Sequence, residues 1–244
     1  MFKIFKNSII TTNKSIILVT PLVLFCTILS VYYNFLYLTS DSAIKHAFSV
    51  ALLFLITASI AASWLYMMKK GLQLSRKIFI FDKERNDALI EVFKSLLKGF
   101  GKLFLPISSY IGLNIIFFAS VIYTYSYLAA RYTHITKPLG ILTIFTVILL
   151  SFFTQLWIPE IVYNKKNVLI SLYNAARKNF IYFKENLILY IVIVTEISAI
   201  LLLFYYSASN HPLLSFIFML MMYYIILHVI VLLFTYYEAK HLEK

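Results

Sequence analysis

Residues 157–196 read WIPEIVYNKKNVLISLYNAARKNFIYFKENLILYIVIVTE. Three units follow one another in this stretch. Trp157, Pro159, Glu160 and Tyr163 close an apolar run with the aromatic and polar groups of a membrane–water boundary. Residues 164–186 then form a basic segment. In it Leu169, Leu172, Tyr173, Ala176, Phe180 and Phe183 recur at spacings of three, four or seven, and Asn174, Arg177, Lys178 and Glu185 fall elsewhere. This pattern predicts a helix lying in the interface plane, apolar side down, with Arg177, Lys178 and Lys184 among lipid phosphates. An apolar helix begins at Leu187 and carries one carboxylate, Glu196, inside it.

Working outward, composition agrees with a membrane reading. The 244 residues are 61% hydrophobic and 13% charged, with a mean hydropathy of +0.85. A soluble domain is about 45–50% apolar and about 25% charged. Runs of about 20 apolar residues recur, each long enough for about 30 Å of hydrocarbon. The net charge of +12 does not argue for nucleic acid, because the cations flank apolar runs rather than forming one basic face. The single cysteine, Cys26, sits in an apolar run and forms no metal-type spacing. No cofactor is expected.

The fold expected is all-α: one membrane domain over 1–244, with six transmembrane helices in three hairpins. The spans are placed at 16–38, 46–68, 103–128, 139–163, 187–206 and 213–237. Amphipathic cytoplasmic segments are placed at 1–15, 72–102 and 164–186. The run 16–38 is longer than a secretory h-region and no A-x-A-like site follows, so it is expected to be a retained first helix. Gly99 and Gly101 are expected to loosen the chain ahead of the third span. Trp64 and Tyr66, followed by Lys69 and Lys70, are expected to close the second span at the interface.

Orientation follows from the cations. The lead-in, 69–102, 164–186 and the tail hold 19 of the 22 Lys and Arg, leaving only Lys45, Arg131 and Lys137 for the opposite loops. By the positive-inside rule both termini are cytoplasmic and the protein lies in an inner membrane.

A threefold order is also visible: basic lead-in, outward helix, short turn, return helix, then tyrosine and lysine. Its closing signatures are Tyr66-Met67-Met68-Lys69-Lys70, Tyr163-Asn164-Lys165-Lys166 and Tyr237-Glu238-Ala239-Lys240. Internal duplication and the repeated interface chemistry of any membrane hairpin both account for it. The sequence WIPEIV, the helix ISLYNAARKNFIYF and the tail TYYEAKHLEK together resemble a bacterial inner-membrane group. That group comprises the membrane domain attached to some glycerophosphodiester phosphodiesterases and the YciC-like proteins. The likeness covers mainly residues 150–244. Ala175-Ala176 departs from it, standing where a serine is common. The resemblance implies a six-helix membrane module and carries over no catalytic residue.

No P-loop, H-E-x-x-H, G-x-S-x-G or C-x-x-C occurs. His46, His134 and His211 fall at the outer end of each hairpin. They are candidate metal ligands, although interfacial placement of an amphipathic ring is the simpler account and no metal is expected. Glu160 is read as a boundary carboxylate that snorkels, or pairs with Lys165 or Lys166. Asn114 and Gln155 are read as interhelical hydrogen-bond donors and as polar lining. Glu196 lies nine residues into its span and His228 nine from the end of the next. An antiparallel hairpin brings both to similar depth, so they are expected to pair. Such a carboxylate is expensive in a membrane and marks a functional candidate.

Three functions remain in view. The first is a non-enzymatic membrane protein acting on lipids of the anionic cytoplasmic leaflet or on a membrane partner. The second is a transporter or transporter subunit, with Glu196, His228, Asn114 and Gln155 lining a site. The third is an intramembrane enzyme.

Overall fold

The computed structural model describes residues 1–32, 43–74, 82–132, 136–164, 167–207 and 212–242. Every element among them is helical: α1 (Phe2–Lys14), a 3-10 turn (Ile16–Val19), α2 (Thr20–Tyr32), α3 (Ala43–Gln73), α4 (Asp82–Arg131), α5 (Thr136–Thr154), α6 (Trp157–Asn164), α7 (Val168–Ile181), α8 (Phe183–Ser207), α9 (Pro212–Tyr237) and a π-helical turn (Glu238–Leu242). Pro21, Pro138, Pro159 and Pro212 lie in the first turns of α2, α5, α6 and α9. There a missing N–H costs nothing. Pro106 alone is interior, in α4.

Among the described residues, five stretches are long and apolar enough to cross a membrane: Ala47–Gln73, Glu84–Arg131, Thr136–Asn164, Phe183–Leu203 and Leu213–Leu242. The sixth expected span, at 16–38, takes a different form. Phe2–Lys14 and Ile16–Ser30 meet at a bend of 73°, and only as one broken span do they bring the number to six. Residues 33–38 of that run lie outside the described residues.

α3 and α4 make the largest interhelical packing surface. They run antiparallel: Gly112 lies beside Phe54, Gly99 beside Ser63 and Tyr66, and Glu91 beside Lys70. This corrects the expectation for the glycines. α4 is a single helix of 50 residues, so Gly99 and Gly101 do not loosen it. Glycine weakens a helix interior by about 1 kcal/mol, but at Gly99 tertiary packing decides. A Cβ there would meet Tyr66 Cβ at 2.7 Å and the Ser63 backbone at 3.0 Å. The glycine is what lets α4 approach α3. Residues 82–102 are thus the first part of α4 rather than a separate interfacial helix.

The core gathers at one end of the bundle, where the lead-in helices sit. It joins Leu18, Met67, Met68, Val92, Leu103, Ile161, Leu189, Leu232 and Phe234. Both tryptophans belong to it and not to an exposed boundary. Trp64 Nε1 donates to Leu18 O at 2.9 Å, and Trp157 Nε1 donates to Val168 O at 3.0 Å. Each buried indole N–H thereby finds the partner it needs. The opposite halves leave large side chains outward, among them Ile116, Ile122, Tyr123, Ile141, Phe145 and Leu213.

The lead-in helices share one packing rule. α1 buries Ser8 and Thr12, α4 buries Ala88, Val92, Ser95 and Gly99, and α7 buries Val168, Ser171, Ala175 and Asn179. Small side chains let helices approach closely, which suits packing in lipid, where large apolar groups gain nothing by turning inward. In α7 the row Leu169, Ile170, Tyr173, Phe180 and Ile181 is accordingly exposed.

Candidate functional site

Only Gln155 and Leu156 separate α5 from α6, and α6 packs on α7. This places Glu160 inside the protein, with 1% of its surface exposed. Its expected snorkelling is therefore corrected. Glu160 Oε2 accepts from Lys178 Nζ at 2.6 Å and from Tyr237 Oη at 2.5 Å, while Oε1 accepts from Asn164 Nδ2 at 2.6 Å. Lys178 Nζ also bonds Tyr237 Oη at 2.6 Å. The carboxylate is satisfied by one ammonium and two neutral donors, from α6, α7 and α9.

Lys178, expected among lipid phosphates, is held by Glu160 and Tyr237, with 24% of its side chain exposed. It follows Ala175 by three positions and Ser171 by seven, so helical geometry puts it on the small, buried face. Arg177 and Lys184 are exposed and stay available to phosphates. Lys165 and Lys166, the expected partners of Glu160, lie outside the described residues.

Around this ion pair lies a wider polar girdle. Tyr163 stacks on Tyr237 with centroids 5.4 Å apart and donates to Glu238 Oε1 at 2.7 Å. Lys69 Nζ sits 4.5 Å from the Tyr163 ring centroid and donates to Val162 O at 3.1 Å. Gln155 Nε2 donates to Asn179 Oδ1 and to Asn186 O, both at 3.1 Å. Tyr236 donates to Asn186 Oδ1 at 2.5 Å. Gln155 is thus interhelical, as expected, but its bonds belong to this girdle. Asn114 differs from expectation: its Nδ2 donates to Tyr110 O at 2.8 Å, within α4 itself. A four-residue spacing lets the side chain reach back along its own helix.

A second carboxylate, Glu196, lies in α8 against α9. Asn186 meets Tyr236 near one end of α8 and α9. Ten residues on, about 15 Å at 1.5 Å per residue, Glu196 Oε1 meets His228 Nδ1 at 2.8 Å. The side chains are 18% and 7% exposed. Glu196 Oε2 is buried without a hydrogen-bond partner. The other ring nitrogen, Nε2, lies 3.1 Å from Ser8 Oγ on α1. Phe5 adds an edge-on ring contact to His228 at 5.7 Å.

Ser8, His228 and Glu196 follow the order of a hydrolytic triad, yet the serine is not set up as a nucleophile. It is fully buried, and its hydroxyl donates to Phe5 O at 2.7 Å. It also lies inside a regular helix, where its own N–H and those that follow are committed to carbonyls four residues back and cannot stabilise an oxyanion beside it. The arrangement ties α1, α8 and α9 together through one imidazole.

Sequence reading did not find Ser8, Asn164 or Tyr237, and gave Lys178 to lipid rather than to Glu160. A signal existed for two of them. Ser8, Thr12 and Ser15 recur at four and three, as do Ser171, Ala175 and Lys178. His134 and His211 lie outside the described residues, as does the side chain of His46. Among the described residues no group of three or more His, Cys, Asp or Glu is placed to hold a metal ion. In comparisons with known proteins, no family model, no curated protein and no solved structure matches this chain.

Proposed function

We propose that this is a non-enzymatic multi-pass protein of a bacterial inner membrane, with both termini cytoplasmic, that acts through lipids of the anionic leaflet or through a membrane partner. In this reading its spans form three hairpins, each led by an amphipathic helix. The observation that carries it is the outward face of α7. Leu169, Ile170, Tyr173 and Phe180 are exposed, with Phe180 at 73%, and Arg177 is exposed beside them. An apolar row of this size needs lipid or a partner over it, and cations at its margin favour an anionic surface. The resemblance of residues 150–244 to the YciC-like group points the same way. The test places an environment-sensitive fluorophore on Phe180→Cys in a Cys26→Ser background, in the full chain reconstituted in vesicles. An apolar emission spectrum is expected. Salt should weaken the signal from Arg177 and Lys184 contacts in anionic vesicles and have little effect in neutral ones. A water-like spectrum in both membranes would overturn the reading.

A second reading, transport, is favoured by one observation. Glu196 keeps a buried oxygen without a partner, and intramembrane carboxylates with spare capacity mark ion and substrate paths. A liposome flux assay comparing wild type with Glu196→Gln separates the two: flux lost in the variant supports transport, and no flux in either supports the first.

A further inference from the structure

α4 and the first turn of α7 wall a groove of about 520 Å³. Leu105, Ser109, Gly112 and Ile116 line it from α4, and Val168 and Leu169 line it from α7. Gly112 keeps the groove open: a Cβ there would meet only Phe54 Cζ, at 3.9 Å. Leu105, Ile116 and Leu169 stand exposed along it. From Leu105 to Ile116 the groove runs about 16 Å at 1.5 Å per residue. Half of a bilayer's hydrocarbon is about 15 Å, so the groove has the length of an acyl chain in one leaflet.

We propose that this groove binds one anionic phospholipid of the cytoplasmic leaflet, with an acyl chain along α4 and the phosphate on Lys98 and Lys102. The positions of the cations carry the argument. Lys98, Lys102, Leu105, Ser109, Gly112 and Ile116 follow one another at spacings of four or three. Helical geometry therefore sets the two lysines on the groove's own stripe of α4, just beyond its end. Lys102 precedes Leu105 by about 4.5 Å along the axis. Both lysines are exposed. Lys102 Nζ donates to Tyr66 Oη at 3.3 Å and lies 5.4 Å from the centre of that ring, and a hydroxyl and a ring leave its charge in place. Glu91, farther back on α4, is engaged by Lys70. The first turn of α7 holds no acidic residue. Cations at the headgroup end and an apolar channel leading from them into hydrocarbon match a molecule with an anionic head and an apolar tail.

Size separates a lipid from a partner helix. A helix about 16 Å long and about 10 Å across takes up about 1,200 Å³, more than the groove holds. An acyl chain is far thinner. The inference rests on the lipid reading above for its orientation, which puts Lys98 and Lys102 at the anionic leaflet. Its cations are not those of α7.

The test is native mass spectrometry of the full chain in detergent, offered equal amounts of phosphatidylglycerol and phosphatidylcholine with the same acyl chains. The wild type should retain one phosphatidylglycerol under activation that strips other lipids. Its preference over phosphatidylcholine should be roughly fivefold for each lysine, and Lys98→Gln with Lys102→Gln should abolish that preference. Gly112→Leu fills the groove and should lose the retained lipid. Ser109→Leu fills it one turn away and should do the same. If neither folds, the lysine pair decides alone. Arg177→Gln with Lys184→Gln should leave retention unchanged. No retained lipid in the wild type, equal retention of the two lipids, or retention that survives in a filled groove would overturn the proposal. A preference that depends on Arg177 and Lys184 but not on Lys98 and Lys102 would overturn it while leaving the lipid reading of α7 in place. A water-like spectrum at position 180 beside a lipid retained through Lys98 and Lys102 would remove the α7 reading and support the groove.

Discussion

Glu160 and Glu196 are chemically the same group, both meet α9, and they are treated in opposite ways. Glu160 has both oxygens occupied by three donors from three helices. Glu196 has one oxygen on His228 and one with no partner. A buried carboxylate with every acceptor filled fixes the geometry of what surrounds it, and removing a partner strands its charge. A buried carboxylate with spare capacity costs the fold something and is available for chemistry. The first reads as a lock between α6, α7 and α9, and the second as a working group.

The strongest way to break this contrast is to strand Glu160. Lys178→Met removes the ammonium and leaves the carboxylate inside. The expected loss is about 3 kcal/mol of stability, seen as a lower melting temperature in the same detergent or lipid. Adding Glu160→Gln should recover much of it, since the two sites are coupled. No loss on Lys178→Met would remove Glu160 from the structural role.

Next in size is a packing defect, which shows what losses without charge look like in the same assay. Gly99→Val forces α4 off Tyr66 and Ser63 and should cost roughly 1–3 kcal/mol. Tyr237→Phe should follow at about 1–2 kcal/mol, because it removes one donor to Glu160 but leaves Lys178 and Asn164. A Tyr237→Phe protein as unstable as Lys178→Met would mean that the hydroxyl, not the ammonium, holds the lock. The smallest effect is expected at Gly101, where an added Cβ has nothing within 4 Å. Gly101→Ala should raise stability by up to about 1 kcal/mol through helix propensity alone. A loss there would mean that the exposed face of α4 is covered.

Much of this was legible in the sequence, for physical reasons that can be named. Span length and apolarity follow from hydrocarbon thickness, and the described residues hold five helices long and apolar enough to cross a membrane. The meeting of Glu196 and His228 could be read by counting depth along an antiparallel hairpin. What could not be read was the direction of Lys178. Spacing divides the basic segment 164–186 into an apolar face and a cationic face, which gives Arg177, Lys178 and Lys184 to lipid. The large apolar row of α7 turns outward and the buried face is Ser171, Ala175 and Asn179. Lys178 shares it. Ser8 differs: Ser8, Thr12 and Ser15 recur as one small face of α1, but the partner of Ser8 is 220 positions away and nothing in the lead-in points to it. The glycines of α4 were misjudged because propensity was weighed without the helix that packs against Gly99.

The most direct test of the contrast is to melt Glu160→Gln and Glu196→Gln side by side, in the same vesicles, against the wild type. Glu160→Gln leaves Lys178 without its carboxylate and should cost about 2–3 kcal/mol. Glu196→Gln keeps a hydrogen between itself and His228 and should stay within about 1 kcal/mol of the wild type. Equal losses, or a larger loss at Glu196, would contradict the assignment of one carboxylate to the fold and the other to function.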